Sequence, residues 1–599
     1  LQINIKKKVF NGPNLIAKFP GVFIEFDIPY NQSYLSKNIF TLLDEISNQD
    51  SQLKNITVPQ EQLNFTHCTA IILSKIYHPI PFHNSDTFIF NKKQHNRTSW
   101  IYLRFLQIQP ALLAIKLSLH ISFEIFKSLF NQKPTQISID FIHQQLKKIN
   151  SKSPSLDMQK IISGAMKRNI PIYFSTDNNN RIIQYGQGAL SKLTLFTVTQ
   201  KDSSIGKELS QQKDYSNELV QKLGFPSVRH YLTKNFQQVK DAAKALGYPL
   251  VLKPVDGALG NGITTSITDE KQLKDAFHFA SKFKSRGILV EEHLPGIDHR
   301  IMVYNGKVIW VSAKYPPSVT GDGKHSISEL IEIENKRRTE EKDAKKIISC
   351  DDDTQKIISL QGFQFEDCPK QGELVTLGKV SNYTMGGTSK DVTHKVHPDN
   401  IHMAETVTRS FHLTVMGIDF MTEDISKSWR ETKCGIIETN HIPGIVSDKE
   451  AQLIADNLFS NKQTGRIPSI LILTSDKNIP DWIVSKFESE KINLGQITNT
   501  QTILNKVPRG KTTDSISQRV SSLILDPTCE AILVSSNETT MIQHGLPLDK
   551  FDLGIISKSY SKFIESLSYS QSQQIIIDQD IKHHKDEINN LIDQLILNL

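Results

Sequence analysis

The sequence predicts a multidomain α/β protein, and three observations carry that reading. The chain has 599 residues, more than one hydrophobic core can serve, so about three or four domains are expected. Its composition, 38% hydrophobic and 22% charged, is that of an ordinary globular protein rather than a disordered or fibrous one. From about Lys201 the pattern runs helix, strand, glycine-rich loop, strand, helix, strand, which is α/β alternation.

The elements follow in order. The opening "LQINIKKKVF" has no apolar run of the kind a signal peptide uses, so none is expected. The most apolar stretch, Ile101 to Phe130, is interrupted by Arg104, Lys116, Glu124 and Lys127 too often for a membrane span. Within it, Ile115 to Ile125 alternates strictly, which by period alone reads as a half-buried strand. Polar runs within 83–99 and 175–188 break the first region, the second reading as a turn and then a strand. Residues 334–356 are a charge-dense insertion, expected as a solvated helix or loop. "SNKQTGRIP" (460–468) reads as a linker, "SILILT" as a new strand, and the terminal "IKHHKDEINNLIDQLILNL" as a helix for packing or a partner. These breaks suggest domains at 1–160, 161–465 and 466–599. The net charge of +7 permits an anionic substrate but is too weak for nucleic acid. Five cysteines without a C-x-x-C pair fit a reducing, cytoplasmic setting, with no disulfide framework and no zinc site.

The stretch "VLKPVDGALGNGIT", Val251 to Thr264, carries the first chemical signal. An apolar run reaches Lys253, and then Gly257, Gly260 and Gly262 fall within six residues, where successive amides can wrap a phosphate. A P-loop needs G-x-x-x-x-G-K-[ST], which is absent; a dinucleotide fold needs G-x-G-x-x-G opening a helix, and here the order is reversed and a strand follows. What remains is a glycine loop between two antiparallel strands, folding over a nucleotide's phosphates, with Lys253 reaching the α- or β-phosphate.

Companions appear downstream. "ILVEEHLPGIDHR" is a strand running into a turn, where backbone groups from Glu291 through Glu292 to Leu294 would read adenine. Asp298 would accept from ribose hydroxyls, and Arg300 would face the reacting phosphoryl group. Asp419 in "MGIDFMTED", with Glu438 and Asn440 in "GIIETNHIPG", forms an oxygen set suited to one or two Mg²⁺, the i, i+2 spacing sharing one strand face. Each has a plain structural alternative: a hairpin loop, a turn cap at Asp298, a buried ion pair at Asp419, solvent-facing polarity at Glu438 and Asn440. Their order and spacing together favour the functional reading.

These blocks resemble the ATP-grasp superfamily, and more narrowly cyanophycin synthetases and the ligase domain of bifunctional glutathione synthetases. The similarity runs from "QYGQG" through "KPVDGALGNGIT", "VEEHLPGIDHRIMVYNGKVI", "GDGKHSISELIE", "NYTMGGTSKDVTHKVHP", "GIDFMTEDIS" and "IIETNHIPG" to "GRIP". It implies a central ATP-grasp fold behind an N-terminal α+β domain, and a helix, not a strand, over 110–130. It implies that Lys213 joins Lys253 as a phosphate lysine, that Lys314 stands where the family usually has arginine, and that Asn382, Gly386 and Gly387 form the substrate-side loop. ATP and Mg²⁺ are the implied cofactors. The implied chemistry is two-step: a carboxylate takes the γ-phosphoryl group, and an amine displaces phosphate from the acyl phosphate.

The departures set the expectation further. Leu259 and Asn261 stand where cyanophycin synthetases commonly have His and Arg, and Thr384-Met385 replaces Ser-Thr. The last part resembles a truncated Mur-ligase-like α/β domain, but "SILILTSDKNIPDWIV" carries no phosphate loop, so this remnant is expected to be structural. The resemblance therefore implies a carboxylate–amine ligase extending a cyanophycin-like (β-Asp-Arg) polymer, with a peptide acceptor and an amino-acid or dipeptide donor. Homo-oligomeric assembly (dimer or tetramer) and no membrane partner go with it. The rivals are a ligase for another small peptide or amide, and a nucleotide-binding pseudo-ligase acting as a scaffold.

Overall fold

The computed structural model describes residues 5–10, 13–14, 17, 19–27, 34–35, 62–77, 88–90, 98–105, 107–133, 137–174, 181–256, 262–283, 286–340, 347–378, 381, 386–445, 447–459, 463–474, 478–511, 513–557, 574–578 and 584–597. They divide into two units, 1–196 with 458–599, and 197–457.

In the first unit, strands Ile5–Phe10, Gly21–Asp27, Thr98–Arg104 and Phe88–Phe90 form an antiparallel sheet in that order. Helices Phe65–Ile76 and Ile108–Asn131 share a core with it. The second of these covers the segment whose alternation reads as a strand, so the period-two reading is corrected and the helix holds. The cause lies in Ser118 and Ser122, which are buried: Ser118 bonds back to the Ala114 carbonyl and Ser122 meets Thr69. With these serines counted among the inward residues, the buried set is helical.

Residues 161–196 also fall in this unit. Gln184 Nε2 donates to Ile524 O at 2.9 Å and the Gln187 amide to Gly465 O at 2.8 Å, fastening this segment to the C-terminal part. That part is a seven-stranded sheet. Its parallel strands lie in the order Leu494–Ile497, Ala531–Ser535, Ser469–Leu473, Leu553–Ser557 and Gln574–Asp578, with two short antiparallel strands on one edge. Leu471 and Leu473 enter one core and Ile470 and Ile472 another, so both faces are covered, as a parallel sheet requires. The terminal helix Lys585–Leu597 buries Ile588 and Ile592 in the second core, so it serves packing.

The second unit holds two main antiparallel sheets, besides a two-stranded pair of Ser318–Thr320 with Leu374–Thr376. The smaller has β1 (His230–Thr233), β2 (Leu250–Pro254), β3 (Thr264–Ile267) and β4 (Ile288–Glu292), in the order β1-β4-β2-β3. Leu250, Leu252, Ile288 and Val290 face helices Phe236–Leu246 and Glu270–Ala280, leaving Lys253 and Glu291 on the other side. The larger has β5 (Ile297–Tyr304), β6 (Lys307–Tyr315), β7 (Thr388–Asp391), β8 (Val415–Thr422) and β9 (Cys434–Asn440), in the order β7-β6-β5-β8-β9. Ile301, Val303, Val311, Ala313, Met416, Ile418 and Phe420 pack against helix Pro398–Ser410, and the alternate residues form the opposite face.

The described residues of the charge-dense insertion are mostly solvent-facing, as expected, with Arg338, Ile348 and Thr354 buried. Helices Ile327–Glu340 and Asp352–Ser359 share a core with Val319, Val375 and Leu377. Arg338 is buried, donating to Glu334 at 2.7 Å and to the Gly386 carbonyl at 2.8 Å.

Candidate active site

The face of the larger sheet turned away from its helix collects charge by register. Arg300 lies across from Asp419, and Asp419 from Glu438, so the three form a row over β5, β8 and β9. Arg300 Nε donates to Asp419 Oδ1 at 2.6 Å and its terminal nitrogen to Oδ2 at 3.3 Å. Lys314, across from Asp298 on β6, bridges Asp298 at 2.9 Å and Asp419 at 2.8 Å. Burial pushes Asp419 up, but Arg300 and Lys314 outweigh it and hold its carboxyl below the usual range. Asp298 is raised: burial dominates, and Lys314 only partly offsets it. Gly417 makes the row possible, because a Cβ there would lie 2.8 Å from an Arg300 terminal nitrogen.

β9 adds a bulge. Asp419 pairs with Glu438 while Phe420 pairs with Ile436, so Ile437 is an extra residue. Its carbonyl accepts from Lys253 Nζ at 3.4 Å, which brings the two sheets' charged faces to one place. Lys253, only 6% exposed, also meets Glu291 Oε2 at 2.8 Å. Lys213 is the first residue of α1 (Lys213–Lys222), with Nζ 3.3 Å from Glu438 Oε1.

The sequence-predicted residues divide as follows. Lys213, Lys253, Glu291, Asp298, Arg300, Lys314, Asp419 and Glu438 come together through these contacts, and Asn440 stands two residues beyond Glu438 on the same strand, across from Gly417. Glu292 turns aside: its carboxylate is taken by Arg229, at 2.9 and 3.0 Å. Leu294 is buried at the turn. Asp298, expected beside a ribose, is bridged by Lys314 to Asp419. Gly257, Gly260 and Asn382 lie outside the described residues. Gly262 closes the hairpin at φ +74°, where a Cβ would strike Phe283 and Pro254 at 2.7 Å. β2 and β3 are antiparallel, as the strand–loop–strand reading requires.

Sequence reasoning assigned Glu291 only a backbone role and missed its carboxylate as the partner of Lys253. The signal was present: a lysine within an apolar strand demands a buried counter-charge on a neighbouring strand. Among the described residues no three His, Cys, Asp or Glu side chains group as a metal site. The oxygen set of Asp419, Glu438 and the Asn440 amide still suits a hard cation. Two buried carboxylate oxygens, Asp298 Oδ1 and Glu291 Oε1, accept no hydrogen bond, so the site has unmet capacity for a ligand's donors or a cation.

Paired antiparallel sheets, an antiparallel strand pair flanking the glycine-rich stretch and a row of cations and carboxylates where the sheets meet are the arrangement that the ATP-grasp resemblance implies. No protein-family model matches the chain. The sequence is cyanophycin synthetase-like: it is 31% identical over 416 residues to the cyanophycin synthetase of Crocosphaera subtropica, covering 66% of this chain and 47% of that one. The Synechocystis cyanophycin synthetase is 28% identical over 414 residues, 66% and 47% of the two chains. The glutathione biosynthesis bifunctional protein GshAB of Clostridium perfringens is 26% identical over 316 residues, 51% of this chain and 40% of that one. The chain spans about half the length of the cyanophycin synthetases it matches. Among solved structures, a bifunctional glutathione synthetase from Pasteurella multocida matches 74% of this chain and 82% of its own, at TM-score 0.41 and 15% identity. No helix among the described residues is long and apolar enough to cross a membrane.

Proposed function

We propose that the chain is an ATP- and Mg²⁺-dependent carboxylate–amine ligase that forms a peptide bond through an acyl phosphate, extending a cyanophycin-like polymer. The observation that carries this reading is the charged row Arg300–Asp419–Glu438, with Lys314, Lys213 and Lys253 gathered onto it. So many ionic groups placed inside one unit are costly to bury unless paired, and a polyanion with its cation would exchange partners with them.

Lys213 and Lys253 would hold the nucleotide phosphates, and backbone groups from Glu291 to Leu294 the adenine. Asp419, Glu438 and Asn440 would hold Mg²⁺, which supplies charge neutralisation on the phosphates when bound. In the first step an acceptor carboxylate oxygen bonds to the γ-phosphorus as the bond to the β-phosphate oxygen breaks, and ADP leaves. Arg300 and Lys314 would stabilise the charge spread over the transferred group. In the second step the amine nitrogen bonds to the acyl carbon, phosphate leaves with the bonding pair, and the amine proton passes to solvent or a nearby base. No protein nucleophile is required.

Phosphate release with Mg²⁺-ATP and a short cyanophycin primer tests this, comparing β-aspartyl-arginine, aspartate plus arginine, and no amine, beside an Asp419→Asn, Glu438→Gln double variant. Release with the dipeptide alone, lost in the variant, is the expected result, because "SILILTSDKNIPDWIV" carries no second phosphate-loop motif. Release with aspartate alone points to a backbone ligase whose arginine is added elsewhere. ATP binding without amine-dependent release under any condition overturns the polymer reading and favours the pseudo-ligase.

A further inference from the structure

Beside the charged row lies a second cluster that the proposed chemistry does not use. Arg286, just before β4, grips Asp256 twice: its backbone amide donates to Oδ2 at 2.7 Å and its Nε to Oδ1 at 3.0 Å. The same guanidinium reaches Asp214 Oδ1 at 3.3 Å. Asp256 follows β2 three residues after Lys253, and Asp214 is the neighbour of Lys213 in the first turn of α1. One guanidinium therefore ties together the two segments that carry the two lysines.

We propose that Arg286 is a positioning residue that fixes the separation of Lys213 and Lys253, and so sets how well the site grips a polyphosphate. The inference rests on the nucleotide reading of those lysines. Arg286 is 44% exposed, and ion pairs at such sites add little to stability, so a purely structural purpose accounts poorly for a three-bond clasp. Planar geometry explains the residue type: guanidinium donors at fixed angles can hold two carboxylates at once, which an ammonium on a flexible stem does less rigidly. Asp214 also lies where an acidic residue suits a helix N-terminus, so part of its effect would persist without Arg286.

Calorimetric titration with Mg²⁺-ATP and with adenosine separates a positioning role from a structural one. Arg286→Ala should weaken Mg²⁺-ATP about tenfold and leave adenosine unchanged, because only the phosphates meet the lysines. Arg286→Lys should recover part of the loss. Asp214→Asn should resemble Arg286→Ala, and the two combined should be no worse than the stronger single change, since both break one clasp. Unchanged Mg²⁺-ATP affinity in Arg286→Ala, a parallel fall in adenosine affinity, or additive losses would each overturn the proposal. The unaltered protein decides the underlying reading separately: if it binds no Mg²⁺-ATP, the nucleotide site fails and the clasp fails with it.

Discussion

Two sheets in this chain have the architecture to serve a nucleotide, and among the described residues only one gathers a row of charged side chains on a face. The five-stranded sheet of the second unit gives one face to Asp298, Arg300, Lys314, Asp419 and Glu438. The parallel sheet of the first unit has the crossover topology whose strand ends commonly bind ligands, yet both faces are filled by Ile, Leu and Val. Its charged pairs sit at the other end: Arg466 grips Asp549 and Asp552 accepts from the Ser469 amide, just before the strands begin. Topology alone therefore does not make a site; the residues at the strand ends do.

The largest expected effect separates the sheets directly. Asp419→Ala leaves Arg300 and Lys314 without their shared carboxylate, and removing one partner of a buried pair costs about 3–5 kcal/mol. Phosphate release should fall at least ~10²-fold, with a clear drop in urea midpoint. Ser536→Ala, just past the end of strand Ala531–Ser535 in the parallel sheet, should leave phosphate release within about twofold. A comparable loss from Ser536→Ala would break the comparison, because the parallel sheet would then take part in the chemistry.

Much of this contrast was legible in the sequence. The missing phosphate loop after "SILILT" and the strand–glycine–strand pattern around Lys253 are local, and local patterns survive in one dimension. What was not legible is partnership across strands. The alternatives for Asp419 were a metal ligand and a buried ion pair, and its pairing with Arg300 is set by a register that no spacing in the sequence reveals. Glu291 with Lys253 is the same kind of miss, since the two residues lie 38 apart and meet only because β2 and β4 are neighbours. The helix that period alone reads as a strand has a different cause: its buried serines satisfy their hydroxyls within the fold, so polarity there does not mark exposure.

Acid should weaken both units over one pH range, a smaller effect. The bond from Arg337, helped by Arg338 and opposed by burial, holds Glu334 down to about 2. In the other unit, the Thr528 hydroxyl bond, with Arg509 helping against burial, holds Asp526 down to about 2. Both folded values lie below the unfolded ones of about 4. Their stabilisation is therefore present above about pH 4 and fades as pH falls toward 2. Urea midpoints at about pH 6 and 3 should converge in Glu334→Gln and in Asp526→Asn relative to the unaltered protein. A drop unchanged in one variant would place that carboxylate outside the acid response of its unit.

The smallest effect reads the two units through their thiols. Burial pushes Cys68 and Cys529, both in the first unit, up to about 12, while Cys368 in the second is exposed. The thiolate is the reactive form, so at about pH 8 a disulfide reagent should modify Cys368 quickly and Cys68 and Cys529 only through opening of their unit. Cys434, half-buried at the start of β9 and raised by burial, is an intermediate case on a strand of the charged row. A ligand that binds only the folded second unit stabilises it by mass action. Mg²⁺-ATP should therefore slow Cys434 while leaving Cys68 and Cys529 at their own rates. Protection extending equally to Cys68 and Cys529 would mean that the parallel sheet's unit also responds to the nucleotide, and the contrast between the sheets would not hold in solution.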